Sequence, residues 1–199
     1  VQKGGEPGFK KVRSYKHVLC VCVNDVVVHG IPIEHRLKEE DVVTIDCGVY
    51  YKGFHTDMAE TRRVSTINNQ QSTINKKDKV DKFLSTGKRA LEEAIKQARV
   101  ENRVGHISKT IQEIVEGAGY SIVRTLVGHG VGKKLHEEPE VPGFLKGTIS
   151  KTPLLLEGMT IAIEVIYNMG KPDVVYANSD GWTIKTKDGS LSGVFERTV

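Results

Sequence analysis

Between residues 42 and 50 the chain alternates without a break. Val43, Ile45, Cys47 and Val49 fall on one side of an extended strand, and Thr44, Asp46, Gly48 and Tyr50 on the other. A tight turn around Tyr51-Lys52-Gly53 followed by residues 54–64 makes this a β-hairpin. Upstream, residues 18–28 are apolar and β-branched, broken by Asn24-Asp25, and predict strand, turn, strand; residues 38–41 form a charged turn. Residues 78–99 carry apolar positions at helical spacing, among them Val80, Phe83, Leu84, Leu91 and Ala94. A second helix is predicted over 105–116, with Gly117 and Gly119 as its stop.

Short strands follow near 122–125, 160–168, 182–186 and 191–199. The stretch to Pro7 reads as loop, 68–77 as polar linker, and 137–157, with its three prolines, as loop. Sheet, two helices and sheet again predict an α+β domain, and no internal repeat is evident.

With 199 residues the chain suits a single domain, 1–199, with a substantial core. Its net charge of +4 is modest, and its cations are scattered, with short pairs such as Lys76-Lys77 and Lys133-Lys134 but no stripe of the kind nucleic-acid binding needs. No apolar run approaches the ~20 residues a membrane span requires. The first residues have no hydrophobic segment of the signal-peptide kind. Three cysteines, Cys20, Cys22 and Cys47, are too few for a disulfide framework and suit a reducing, cytoplasmic setting. The chain opens on Val1 and stops inside a strand-like FERTV, so both ends read as cut.

The candidate chemistry lies in five residues of strand-like segments: Asp46, Asp57, His129, Glu164 and Glu196. Four carboxylates and an imidazole make an oxygen-rich set able to hold two divalent cations. A hairpin loop centred on Tyr51-Lys52 sets Asp46 opposite Asp57; a loop of Lys52-Gly53 makes them diagonal neighbours. Both registers put the pair on one face. That face is either solvated, as one side of an antiparallel hairpin commonly is, or cation-binding. His129 stands among three glycines in Gly128–Gly132, and His136 follows before Glu137-Glu138-Pro139. Glu164 interrupts the apolar run Ile161-Ala162-Ile163-Glu164-Val165-Ile166. Carboxylates in such runs are rarely buried unless paired or metal-bound. Glu196 has a similar setting, although Arg197 offers it an ordinary ion pair. His29 ends an apolar strand at a Gly/Pro turn. His17, His35 and His106 read as surface residues, and His55 is left open.

The strings VNDVVVHGIP, IDCG…GFHTDMAET, GHGVGKKLHEEP, EGMTIAIE and DGWTIKTKDGSLSGVFE, in this order, resemble the type I methionine aminopeptidases of peptidase family M24. The resemblance runs over residues 9–199. It implies the pita-bread (creatinase/aminopeptidase-like) fold, a curved antiparallel sheet covered by helices. The 35 residues from His129 to Glu164 and the 32 from there to Glu196 leave no room for the insertion of the type II class. The usual N-terminal helical lead and the last C-terminal strand are missing from the match.

The resemblance implies roles position by position. Asp46 chelates one metal, Asp57 and Glu196 bridge both, and His129 and Glu164 complete the second site. The two divalent ions (Co, Mn, Fe or Zn) hold a bridging hydroxide that attacks the first peptide carbonyl, and Glu164 accepts the water proton. His136 binds the substrate peptide and steadies the tetrahedral intermediate, and His29 contacts the scissile amide. Tyr15, Cys20 and Trp182 line the methionine pocket. The implied reaction is removal of the N-terminal methionine from nascent polypeptides with a small second residue. A monomer is expected, and ribosome contact fits the resemblance, although no residue here carries it.

Three positions depart from the pattern: Leu135 where relatives have Phe, Val165 where proline is common, and Arg197 where histidine is usual. A proline-directed peptidase of the same fold is the first alternative; the missing extra N-terminal domain and the DGWTIKTKDGSLS string argue against it. A non-enzymatic member of the fold is the second, opposed by the presence of all five ligand-type residues.

Overall fold

The computed structural model describes residues 3–12, 14–65 and 74–199. Its first strands are β1 (Glu6–Pro7), β2 (Cys20–Val23) and β3 (Val26–Val28), followed by the hairpin β4 (Val42–Tyr51) and β5 (Phe54–Arg63). Helices α1 (Ile74–Ile95) and α2 (Val104–Gly117) come next. The remaining strands are β6 (Ser121–Ile122), β7 (Gly128–Gly130), β8 (Glu137–Val141), β9 (Ile161–Asn168), β10 (Val174–Tyr176), β11 (Ile184–Thr186) and β12 (Ser192–Thr198).

Lys52 and Gly53 both take positive φ, 49° and 92°, the backbone of a two-residue turn whose twist matches that of the strands. This turn pairs Tyr51 with Phe54 and, further along, Asp46 with Ala59 and Gly48 with Asp57. The hairpin therefore adopts the Lys52-Gly53 register, and the two aspartates are diagonal neighbours on one face.

That face points inward. Thr44, Asp57 and Thr61 are buried, while Ile45 and Val49 on the apolar side are 49 % and 44 % exposed. The solvated-face reading of the hairpin is thereby overturned: the polar face of β5 packs against β12. The hairpin belongs to a sheet in which β1 and β2 also pair with β4. A second sheet runs β12-β9-β7-β8 with β6 on β9, and a third runs β10-β11-β3.

Side chains alternate along β9, so Ile163, Val165 and Tyr167 face the helices while Glu164 faces the opposite way. Phe83 and Leu91 of α1, Ile107 and Ile111 of α2, and Phe195 of β12 complete that core. Each such side chain, buried, contributes about 1.5–3 kcal/mol. At Gly87 the helix comes so close to the sheet that a Cβ would lie 2.4 Å from the Tyr167 hydroxyl oxygen.

Several boundaries differ from the sequence expectation. Glu6–Pro7 is a short strand rather than loop. Helix α1 starts at Ile74, inside the expected polar linker, because a polar helical turn gives no apolar period; residues 68–73 lie outside the described residues. It ends at Ile95, before a turn through 96–99. Glu137–Val141, expected as loop, is a strand, and Pro139 is tolerated there because β8 is an edge strand. The three-residue β10 gave no signal of its own.

Candidate metal centre

Five strands each present one candidate ligand: Asp46 from β4, Asp57 from β5, His129 from β7, Glu164 from β9 and Glu196 from β12. The histidine sits on a short strand in which it pairs with Ala162. Gly128 and Gly130 are required on either side of it. A Cβ at these positions would lie 2.4 Å from the Ala162 carbonyl oxygen and 2.2 Å from that of Glu138. This close backbone packing brings His129 Nε2 to 3.4 Å from Glu164 Oε1 and 4.0 Å from Asp57 Oδ2. Ligand atoms of Asp57, His129 and Glu196 all lie within 4.8 Å of one another.

The His129 ring is set for coordination. Its Nδ1 lies 2.8 Å from the Gly130 carbonyl oxygen; a carbonyl only accepts, so Nδ1 carries the proton and Nε2 keeps a bare lone pair. Burial lowers its pKa to about 4, which keeps the imidazole neutral.

The carboxylates are in the opposite condition. Burial first, and the Asp57 carboxylate second, raise the proton affinity of Asp46. Burial also raises Asp57. Glu164 is pushed well above the usual range by burial and then by Asp57 and Asp46, and Glu196 by burial and then chiefly by Glu164. Asp46 Oδ1 and Glu196 Oε1 are buried with no hydrogen-bond partner. Unpaired buried acceptors and crowded like charges both call for a cation. Arg197 does not supply it: its guanidinium donates to the Ala59 and Glu196 carbonyls at 3.0 and 2.6 Å and pairs with Glu60 at 2.6 Å. Oxygen donors with one imidazole suit divalent first-row metals, so the residues present fit such an ion.

The acidic cluster opens into an apolar pocket. Tyr15, Cys20 and Trp182 line the same cleft as the five ligand-type residues, as do His29 and His136. All ten residues singled out from the sequence thus border one cavity. The Tyr15 hydroxyl donates to Cys20 Sγ at 3.2 Å, and its ring meets Trp182 edge-on with centroids 5.0 Å apart. His29 holds a φ of 56° and lies 6.1 Å from the Trp182 ring. The ring of His136 is 4.3 Å from that of His129, and burial lowers the pKa of both His29 and His136. Leu135 is buried against Phe9, Tyr15 and Cys20.

Phe9, Val12, Val28 and Val194 also line the cleft and were missed from sequence, because an apolar residue facing a pocket reads like one facing the core. His55 is buried behind Tyr50 and lies outside the cleft lining. His106 is not a plain surface residue: its Nδ1 accepts the Arg103 N–H at 3.0 Å and caps α2.

Antiparallel sheets that bury this donor set beside an apolar pocket define a metal-dependent hydrolase. The model of metallopeptidase family M24 matches residues 2–196. A methionine aminopeptidase of Clostridium perfringens is 42 % identical over 196 residues, 98 % of this chain and 74 % of that protein. One from Aquifex aeolicus is 42 % identical over 197 residues, 98 % of this chain and 72 % of that protein. The crystal structure of the Thermotoga maritima methionine aminopeptidase superposes with a TM-score of 0.87 at 39 % identity, covering 98 % of this chain and 74 % of that one. A prolidase from Pyrococcus furiosus, at 23 % identity and a TM-score of 0.61, shares the fold. The chain belongs to metallopeptidase family M24 and has its pita-bread fold. It is a hydrolase acting on peptide bonds.

Proposed function

We infer that this chain removes the N-terminal methionine from nascent proteins and peptides whose second residue is small. The observation that carries the reading is continuity: the buried acidic cluster and the apolar pocket of Tyr15, Cys20 and Trp182 belong to one cleft. An unbranched thioether fits such a partly aromatic pocket, and a peptide anchored there places its first carbonyl beside the carboxylates. Relatives named methionine aminopeptidase, at up to 42 % identity, support the same substrate.

Asp46, Asp57, His129, Glu164 and Glu196 would hold two divalent cations, with Mn, Fe, Co and Zn all compatible with the donor set. When bound, such cations polarise a carbonyl and make water acidic enough to serve as a nucleophile at neutral pH. The protein's own groups do the rest. Glu164, buried and with raised proton affinity, suits the role of proton acceptor. To His136, which lies beside His129 and lines the cleft, we assign a hydrogen bond to the substrate carbonyl as charge develops there. To His29, which lines the cleft next to Trp182, we assign contact with the scissile amide. The pocket residues orient the substrate and exclude water.

The compartment we assign is the cytoplasm, where nascent N-termini emerge; free thiols at Cys20, Cys22 and Cys47 support a reducing setting. No described helix is long and apolar enough to cross a membrane.

The test is release of free methionine from Met-Ala-Ser, with Mn or Co and again with a chelator. Metal-dependent release, with no methionine from Met-Leu-Ser and no alanine from Ala-Pro-Ser, is the expected result. Cleavage of Ala-Pro-Ser in preference to Met-Ala-Ser would replace this reading with a proline-directed one.

A further inference from the structure

Strands β5 and β12 carry Asp57 and Glu196, yet they are edges of different sheets and share no backbone ladder. Side chains join them instead. The Thr198 hydroxyl accepts the Asp57 N–H at 2.7 Å and donates to the Asp57 carbonyl at 2.9 Å. From the other strand, the Thr61 hydroxyl accepts the Val194 N–H at 2.8 Å and donates to the Val194 carbonyl at 2.7 Å. Thr44 Oγ1 lies 2.8 Å from Thr61 Oγ1 and, with the Thr61 proton already committed, is the donor of that pair. Between the two hydroxyls, Arg197 reaches from β12 to the Ala59 carbonyl at 3.0 Å and to Glu60 at 2.6 Å.

Each threonine thus satisfies both backbone groups of one residue across the gap, as a neighbouring strand would. Thr198 does so on Asp57 itself and is two residues from Glu196. Arg197 is adjacent to Glu196, and its guanidinium is turned away from the carboxylates, so it ties the strands without neutralising the cluster.

We propose that Thr61, Arg197 and Thr198 are positioning residues, a side-chain seam that holds Asp57 and Glu196 at the separation divalent-cation binding needs. The proposal rests on the metal-ligand reading given above. It assigns Arg197, a departure from the family pattern, a place in the seam.

The experiment is calorimetric titration of the chelator-stripped full chain with Mn. Thr198→Val keeps the side-chain volume and removes both hydrogen bonds; Thr198→Ser restores the hydroxyl. Loss of an outer hydrogen-bonding partner weakens metal sites by about 10–100-fold, and that range is expected for Thr198→Val, with Thr198→Ser near the wild type. A seam that merely supports the fold would lower the melting temperature of Thr198→Val while leaving Mn affinity unchanged, and that result overturns the proposal. Should Thr198→Val fail to fold, Arg197→Met, at a half-exposed position, decides instead: weaker Mn binding supports the seam and unchanged binding overturns it. Wild-type protein that binds no Mn would sink the metal reading as well, whereas binding wild type with unaltered variants would sink the seam alone.

Discussion

Glu164 and Glu196 stand directly opposite each other in the antiparallel pairing of β9 with β12. Carboxylates in that relation repel, and here both are buried, with Asp46 and Asp57 close by. A fold that seats four carboxyl groups this way is in tension at neutral pH unless they are protonated or bridged by cations.

The first prediction follows from the sign of that tension. In the metal-free protein all four groups have folded-state pKa values raised above those of the unfolded chain. The folded state therefore binds more protons, and stability falls as pH rises. The contribution of these groups is fully present below the unfolded carboxylate values of about 4 and is lost progressively on the way to neutrality and beyond. Divalent cations reverse the penalty, and they bind better as pH rises. Melting temperatures measured with chelator and with Mn should diverge as pH is raised from about 5 to about 8. Parallel curves would show that the carboxylates do not meet a cation.

Asp46→Asn and Glu196→Gln remove one charge each with little change of shape. Both should cost at least the roughly 100-fold that outer-sphere changes reach at metal sites. The metal-free fold should be unharmed or firmer, since a crowded buried charge is gone. Methionine release per mole of folded protein, with circular dichroism as the control, checks both halves. Full activity in either variant would remove that residue from the site.

His136→Ala should separate catalysis from metal binding. Its ring lies 4.3 Å from that of His129, and it lines the cleft beside the five ligand-type residues without belonging to that set. Loss of a hydrogen bond made to developing charge costs about 10²–10³ in turnover, while Mn affinity by calorimetry should stay near the wild type. A parallel fall in both quantities would make His136 a support of the metal centre instead.

The five ligand-type residues that meet in this cleft were legible because short-range pattern marked them, whereas Tyr15, Cys20 and Trp182 came only from the family resemblance and Phe9, Val12, Val28 and Val194 not at all. Glu164 stands out in an apolar run, His129 among glycines, and the aspartates share a face in either hairpin register. Choosing between the registers needed the positive φ of Lys52 and Gly53, since Tyr51-Lys52-Gly53 offers two loops. Which face turned inward was hidden for a different reason: the partner that buries it, β12, lies more than a hundred residues downstream. The hydroxyl of Thr198 likewise meets Asp57 across a sequence separation of 141, and nothing local to FERTV announces that contact. Pro139 misled because a proline-bearing segment reads as loop until its place at a sheet edge is known.

The last prediction concerns the support behind the site. The site and the helices lie on opposite faces of β9, so the close seating of α1 on that strand governs how firmly Glu164 is backed. At Gly87 an added Cβ would lie 2.4 Å from the Tyr167 hydroxyl oxygen and 2.6 Å from a Phe195 ring carbon. Tyr167 is fully buried and its hydroxyl donates to the Phe83 carbonyl, so it has nowhere to retreat. Overpacking of this kind costs about 1–3 kcal/mol. Gly87→Val gains little helix propensity to offset that, because a branched side chain is a modest helix former. The expected result is a melting temperature lower by roughly 2–4 °C for each kcal/mol lost. A melting temperature at or above that of the wild type would mean that α1 can lift away from Tyr167 without loss.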